Sequence, residues 1–143
     1  MVYVGVADDN LYAINAADGT ERWRFATGDL AGSTPAVADG FVYAGSQSYL
    51  SALRADDGIE RWRFMSGEPY SEWNVPSPAV VDGVVYAVID SYHLYALDAI
   101  EGTERWRFAT DGGLTFSPGV ADGVVYVGSW DDNIYAVNVA DGT

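Results

Sequence analysis

Two kinds of side chain here, histidine and paired carboxylates, have the chemistry for catalysis or metal binding, and spacing limits each. The sole histidine, His93, closes the polar connection Asp90-Ser91-Tyr92-His93. A nucleophilic triad needs histidine within reach of serine or cysteine, and no Gly-x-Ser-x-Gly elbow accompanies this one. A solvent-facing turn residue is the favoured reading of His93. Asp8-Asp9-Asn10 and Asp131-Asp132-Asn133 pair carboxylates that could receive calcium. No Asp-x-Asp-x-Asp-Gly loop surrounds them, so they read as hydrated acidic turns. Cysteine is absent, which removes disulfides, thiol nucleophiles and thiolate metal sites. A single histidine leaves no zinc set, and no glycine-rich loop opens a helical pattern to cradle phosphate. The expectation is no metal, no cofactor and no enzyme activity from these residues.

Recognition chemistry is better represented. Tyr49, Tyr70, Trp73, Tyr92, His93 and Trp130 lie in segments that depart from an otherwise regular pattern. Tyr and Trp favour interfaces, and binding residues favour loops carried by a rigid scaffold. These six are the candidate binding face, against the plainer alternative that Tyr70 and Trp73 only cover a seam.

The scaffold that would hold them is a repeat. Val-Tyr recurs at Val2-Tyr3, Val42-Tyr43, Val85-Tyr86 and Val125-Tyr126, at steps of 40, 43 and 40 residues. Glu-Arg-Trp-Arg-Phe occurs three times, around Trp23, Trp62 and Trp106. Pro35, Pro78 and Pro118 mark a third element, and Leu11-Tyr12-Ala13-Ile14 begins a fourth that recurs at Leu50, Leu94 and Ile134. Each element is a short run of Val, Tyr, Trp and Phe bounded by Asp-Gly or Ser/Gly turns, which reads as strand. Four short strands per ~40 residues is the period of a β-propeller blade.

From the axis outward the strands are A (Ser-Pro-Ala-Val), B (Val-Val-Tyr-Val), C (Leu-Tyr-Ala-Leu) and D (Glu-Arg-Trp-Arg-Phe). Asp39-Gly40, Asp82-Gly83 and Asp122-Gly123 suit type I′ hairpins between A and B. Asp18-Gly19, Asp57-Gly58, Glu101-Gly102 and Asp141-Gly142 turn the corner from C to D. Alternation in D places Glu21, Trp23 and Phe25 on one face and Arg22 and Arg24 on the other. The B-to-C and D-to-A connections open on one face of the ring, where the irregular aromatics gather; the repetitive turns lie opposite.

The expected domain plan is a partial β-propeller over 1–143. Blade 1 supplies strands B to D (1–27), blade 2 spans 32–66, an insertion spans 67–75, blade 3 spans 76–110, and blade 4 supplies strands A to C (114–143). About three and a half blades are half, or a fragment, of a seven- to eight-bladed ring. Such a piece exposes an apolar blade face at each end and invites association with another copy or with missing blades.

At the C-to-D corner the chain resembles the pyrroloquinoline-quinone-like (quinoprotein-like) repeat family, whose docking motif is Ala-x-Asp-x-x-Thr-Gly-x-x-x-Trp. Ala96, Asp98, Gly102 and Trp106 match it, with Glu101 in the Thr place. Ala13, Asn15, Gly19 and Trp23 form a second copy, Ala52, Arg54, Gly58 and Trp62 a third, and Ala136, Asn138 and Gly142 begin a fourth. The resemblance implies that Trp23, Trp62 and Trp106 staple neighbouring blades with Gly19, Gly58, Gly102 and Asp98. The family holds quinone-dependent dehydrogenases and non-enzymatic scaffolds, among them an outer-membrane assembly lipoprotein that gathers partners. The enzymes use a vicinal Cys pair, a stacked Trp, and Glu, Asn and Asp around calcium; this chain looks closer to the scaffolds. The alternative is a fragment of such a dehydrogenase whose catalytic residues lie elsewhere. Exported or cell-surface placement would follow from the resemblance alone.

Composition narrows the partners. Twenty-one acidic residues face seven basic ones, all arginine, for a net charge of −14. Such a lysine-free acidic chain resembles proteins of salt-loving archaea, and repels nucleic acid and anionic lipid. No apolar run approaches the ~20 residues of a spanning helix, and no basic, apolar leader precedes Val2. The expected partner is a protein or a second copy.

Overall fold

The computed structural model describes residues 1–28, 33–46, 49–67, 76–114 and 116–143. Among them the regular elements are all strands, and no helix is long and apolar enough to cross a membrane. The first sheet contains β1 (Val2–Val6), β2 (Asn10–Ile14) and β3 (Glu21–Ala26). β4 (Ala36–Ala38), β5 (Phe41–Gly45), β6 (Leu50–Arg54) and β7 (Glu60–Phe64) form the second. β8 (Ala79–Val81), β9 (Val84–Val88), β10 (His93–Asp98) and β11 (Glu104–Ala109) form the third. β12 (Gly119–Ala121), β13 (Val124–Gly128) and β14 (Ile134–Asn138) form the fourth. Each sheet runs in chain order and pairs antiparallel. This is an all-β arrangement of antiparallel propeller blades.

Turn chemistry sets these hairpins. Asp39, Asp82 and Asp122 have φ of 49°, 50° and 50°, and the glycines after them are also left-handed. Two successive positive φ values define the type I′ turn, which matches strand twist.

Period-2 alternation then sorts the side chains to the two faces of each sheet. Val42, Ala44 and Leu53 of the second sheet pack on Leu11, Ala13 and Trp23 of the first. Tyr43, Leu50 and Ala52, one residue out of phase, pack on Val85, Ala87 and Leu97 of the third. Tyr86, Leu94 and Ala96 in turn meet Val125, Val127 and Val137 of the fourth. The inner sheets are therefore buried on both faces, and every core lies between sheets.

One expectation about faces needs correction. Arg22, Arg61 and Arg105 are extra residues: Ala13 pairs with Trp23 and Ile14 with Glu21, and the same bulge recurs in the next two sheets. A bulge shifts side-chain parity by one. Glu21 consequently shares a face with Arg24, at 3.6 Å, rather than with Trp23. Glu60 pairs with Arg63 at 2.8 Å and Glu104 with Arg107 at 3.8 Å in the same way. The bulged Arg61 reaches Glu101 of the third sheet at 3.5 Å, and Arg105 holds Asp98 at 2.8 Å.

At the inner edge, hydroxyls next to proline tie the sheets together. The Thr34 amide donates to Ser77 Oγ at 2.8 Å, and the Ser77 amide donates to Ser117 Oγ at 2.9 Å. Each hydroxyl thus satisfies an amide at the start of a neighbouring first strand. The prolines were visible as a repeat; the Ser/Thr before each of them carries the bond.

Candidate functional site

Three seams fix the positions of the loops, and all use the same parts. Trp23 Nε1 donates to the Ala55 carbonyl at 3.1 Å, Trp62 Nε1 to Ala99 at 3.0 Å, and Trp106 Nε1 to Val139 at 2.9 Å. Each acceptor belongs to the following sheet. Tyr3 and Tyr43 donate to the same Ala55 and Ala99 carbonyls, at 2.9 and 3.1 Å, and lie 5.7 and 5.9 Å from the Trp rings.

Glycine lets the indole approach. A Cβ at Gly58 would stand 2.7 Å from Trp23, and one at Gly102 would stand 2.5 Å from Trp62. Gly142 does the same for Trp106, at 2.9 Å, and completes a third socket. Gly19 has the same left-handed backbone but meets no described side chain. Asp98 caps its corner by accepting the Ile100 and Glu101 amides, each at 3.0 Å. Asn15 and Asn138 play that part elsewhere. Arg54 cannot accept, and pairs with Asp57 across the corner instead.

The loop face is most completely built at the third and fourth sheets. Asp90 is buried and gathers its turn: the Tyr92 and His93 amides donate to Oδ1 at 2.9 Å. His93 Nδ1 lies 2.9 Å from the same oxygen, and the Tyr95 hydroxyl donates to Oδ2 at 2.6 Å. Burial is the main reason the Tyr95 phenol is pushed far up, with the Asp90 bond second. His93 is thus folded back on Asp90 and half-buried, rather than solvent-facing.

The adjoining loop ties this turn to the next. The Leu114 amide donates to the Ser91 carbonyl at 2.7 Å, and the Trp130 amide donates to the Gly113 carbonyl at 3.0 Å. Tyr92 and Trp130 therefore stand on one continuous surface, 52% and 72% exposed. Tyr49 does not join them. It is buried, its hydroxyl donates to the Thr27 carbonyl, and Arg63 stacks 3.8 Å above its ring. Tyr70 and Trp73, with most of the insertion, lie outside the described residues.

The acidic turns are clasps. Tyr12 donates to Asp8 Oδ2 and Tyr135 to Asp131 Oδ2, both at 2.7 Å, while the Asn10 and Asn133 amides take the other oxygens. The tyrosine bonds hold both carboxyls below their ordinary value. Arg105 does the same to Asp98. Among the described residues no group of three His, Cys, Asp or Glu is placed to hold a metal ion.

The sign of the pH dependence follows. A carboxyl depressed in the fold contributes stability that is present above its unfolded value, and loses it as pH falls through the folded value. The urea midpoint should fall as the pH drops from about 5 to about 2, and Asp131→Asn should flatten that slope. Tryptophan fluorescence in urea series at each pH checks it; an unchanged slope in the variant would count against the clasp.

A family model described as outer membrane protein assembly factor BamB matches residues 1–87 and again residues 46–143. The chain belongs to this family. Among solved structures, BamB from Moraxella catarrhalis superimposes with a TM-score of 0.84 at 17% identity, over 96% of this chain and 42% of that one. The quinohemoprotein alcohol dehydrogenase of Comamonas testosteroni gives 0.85 at 19%, over 99% of this chain and 32% of that one. The computationally designed Ika4 protein gives 0.81 at 14%, over 96% and 84%. No curated protein matches the sequence. These likenesses show the propeller fold, and the chain spans less than half the length of the first two. Within the BamB family assignment, the seam Trp, Tyr and Gly are the parts this chain repeats.

Proposed function

We propose that the chain is a protein-binding or assembly scaffold adapted to high salt. The observation that carries this is that Tyr92 and Trp130 are both exposed on turns held by Asp90 and by the Gly113 carbonyl. Preordered aromatics cost little conformational entropy on binding and supply the anchors that dominate interface energetics. The BamB family match supports an assembly role. A lysine-free chain of net charge −14 supports the salt adaptation, since salt screens its self-repulsion.

Panning a library of displayed random peptides against the chain in about 1 M salt tests it. Enriched peptides should lose about 30-fold in affinity on Trp130→Ala, the scale of a hot-spot aromatic, while the urea midpoint stays unchanged. Equal affinity for the variant would overturn the reading.

The likeness to the quinohemoprotein alcohol dehydrogenase favours a second reading, a segment of a quinone-dependent dehydrogenase. The residues present do not fit the cofactor: the chain has no cysteine for the vicinal pair, and its described carboxylates form no ion cluster. In this reading catalysis rests on residues outside the chain. Dye-linked alcohol oxidation by a full-length parent supplied with quinone and calcium would favour it.

A further inference from the structure

One seam tyrosine departs from the rule that the other two follow. Tyr3 and Tyr43 donate to the Ala55 and Ala99 carbonyls, at 2.9 and 3.1 Å. Tyr86 holds the same place between the third and fourth sheets, 5.9 Å from its tryptophan, Trp106. Val139 supplies the equivalent carbonyl and accepts the Trp106 indole, but the Tyr86 hydroxyl has no hydrogen-bond partner among the described residues. Tyr86 is only 2% exposed, yet no side-chain oxygen among the described residues is both fully enclosed and unpartnered. Its hydroxyl therefore reaches open space. That space is a cleft of about 520 Å³ which Tyr86 lines.

The walls of the cleft are two sheets that pack on each other within the chain. Val84 and Ala140 line it, where the seam between the second and third sheets has the larger Phe41 and Ile100. Phe41 packs into that seam beside Tyr43, with ring centroids 6.4 Å apart. Three charged residues border the cleft. Arg105 is neutralised by Asp98 at 2.8 Å. Asp82 and Asp122, in the hairpin turns of the two sheets, have no ion-pair partner among the described residues. Burial pushes the Tyr86 phenol up; Arg105 opposes that shift and Asp82 adds to it. The hydroxyl thus stays protonated and keeps a lone pair free to accept.

We propose that this cleft binds a small organic ammonium ion. The hydrocarbon part lies on Val84, Val120 and Ala140, and the ammonium group donates to the Tyr86 hydroxyl and to the Asp82 and Asp122 carboxylates. Apolar walls with a few convergent polar groups, around a volume of about 300–1,000 Å³, make a small-molecule site. Two uncompensated carboxylates select a cation and repel an anion. The hairpin turns that carry Asp82 and Asp122 lie at the opposite ends of the strands from the Tyr92 and Trp130 turns. The site is therefore separate from the aromatic surface of the scaffold reading and does not rest on it.

Titration of phenethylammonium into the isotope-labelled chain, followed by amide NMR shifts, tests the proposal. Shifts should cluster at Val84, Tyr86 and Gly123. Phenethyl alcohol, with the same hydrocarbon part and no charge, should bind about tenfold more weakly, the scale of a hydrogen bond to a charged group. Tyr86→Phe should weaken the ammonium by about tenfold and leave the urea midpoint unchanged, whereas Tyr43→Phe should lower that midpoint because its hydroxyl is bonded. Val84→Phe and Ala140→Ile install the residues of the neighbouring seam, and each should abolish the clustered shifts. Circular dichroism establishes that the variants are folded. Asp82→Asn with Asp122→Asn keeps residues that tolerate the left-handed turn, and should erase the preference for ammonium over alcohol. Equal affinity of the wild-type chain for the two probes would overturn the proposal. So would binding that survives both filling variants, which means general attraction to an acidic surface. Absence of shifts at about 10 mM phenethylammonium would also overturn it.

Discussion

Trp62→Ala should lower the unfolding free energy by about 3–5 kcal/mol, the range for removing a large packed aromatic. The indole lies between the two four-stranded sheets and makes three kinds of contact at once. Its Nε1 satisfies the Ala99 carbonyl, its face meets Tyr43 at 5.9 Å, and its ring lies over Gly102. Truncation opens a cavity and leaves the carbonyl with Tyr43 as its remaining described donor. Gly102→Ala attacks the same joint from the other side. Overpacking costs about 1–3 kcal/mol, and a left-handed backbone adds about 1–2 kcal/mol for a residue with Cβ. Gly19→Ala separates these two effects, because Gly19 has φ of 73° against 71° at Gly102 but no ring above it. Urea unfolding should show the larger loss at Gly102. Combining Trp62→Ala with Gly102→Ala should cost less than the sum of the two, since the new methyl enters the vacated space. Strict additivity would mean that the indole and the glycine are not one joint.

The same joint shows what can be read from the residues and what cannot. The strands were legible because every one ends in a turn with its own chemistry and the pattern recurs at a step of about 40 residues. The seam tryptophan was legible because it recurs once per blade, whereas its glycine partner was expected only from the resemblance to the docking motif. Which face a residue occupies was less so. The bulge that moves Glu21 from the Trp23 face to the Arg24 face leaves no mark in composition, because any residue can be the extra one.

Tyr49 illustrates a different limit. Its B-to-C turn is one residue shorter than the others, with Tyr43 seven residues before Leu50 where Tyr86 stands eight before Leu94. Ser51 occupies the place of Tyr12, Tyr95 and Tyr135. The small serine frees seam volume, and Tyr49 turns inward to fill it under Arg63. The swap of Tyr for Ser was the available signal. His93 was misplaced for want of knowing that Asp90 is buried, a property of the packed turn and not of its letters.

Asp90→Ala is expected to be the other large loss, about 2–4 kcal/mol, because removing a buried acceptor strands several donors together. The Tyr92 and His93 amides, the His93 ring and the Tyr95 hydroxyl all converge on this one carboxylate. Tyr95 itself packs 5.3 Å from Phe64 of the preceding sheet, so the damage extends into the seam. Asp90→Asn keeps an acceptor for the amides, and the Tyr95 hydroxyl can accept from the new amide group. It should cost far less. Asp131→Ala is the informative control, since Asp131 clasps Tyr135 as Asp90 clasps Tyr95 but stands in a more open turn. Water can replace that carboxylate, and its loss should be small. If Asp90→Ala and Asp131→Ala destabilise equally in urea, burial is not what makes the Asp90 cluster matter. If Asp90 dominates, the consequence reaches recognition. The turn that positions Tyr92 is then held by a buried acceptor, and Asp90→Ala should weaken peptide capture by this face even in the fraction of molecules that stays folded.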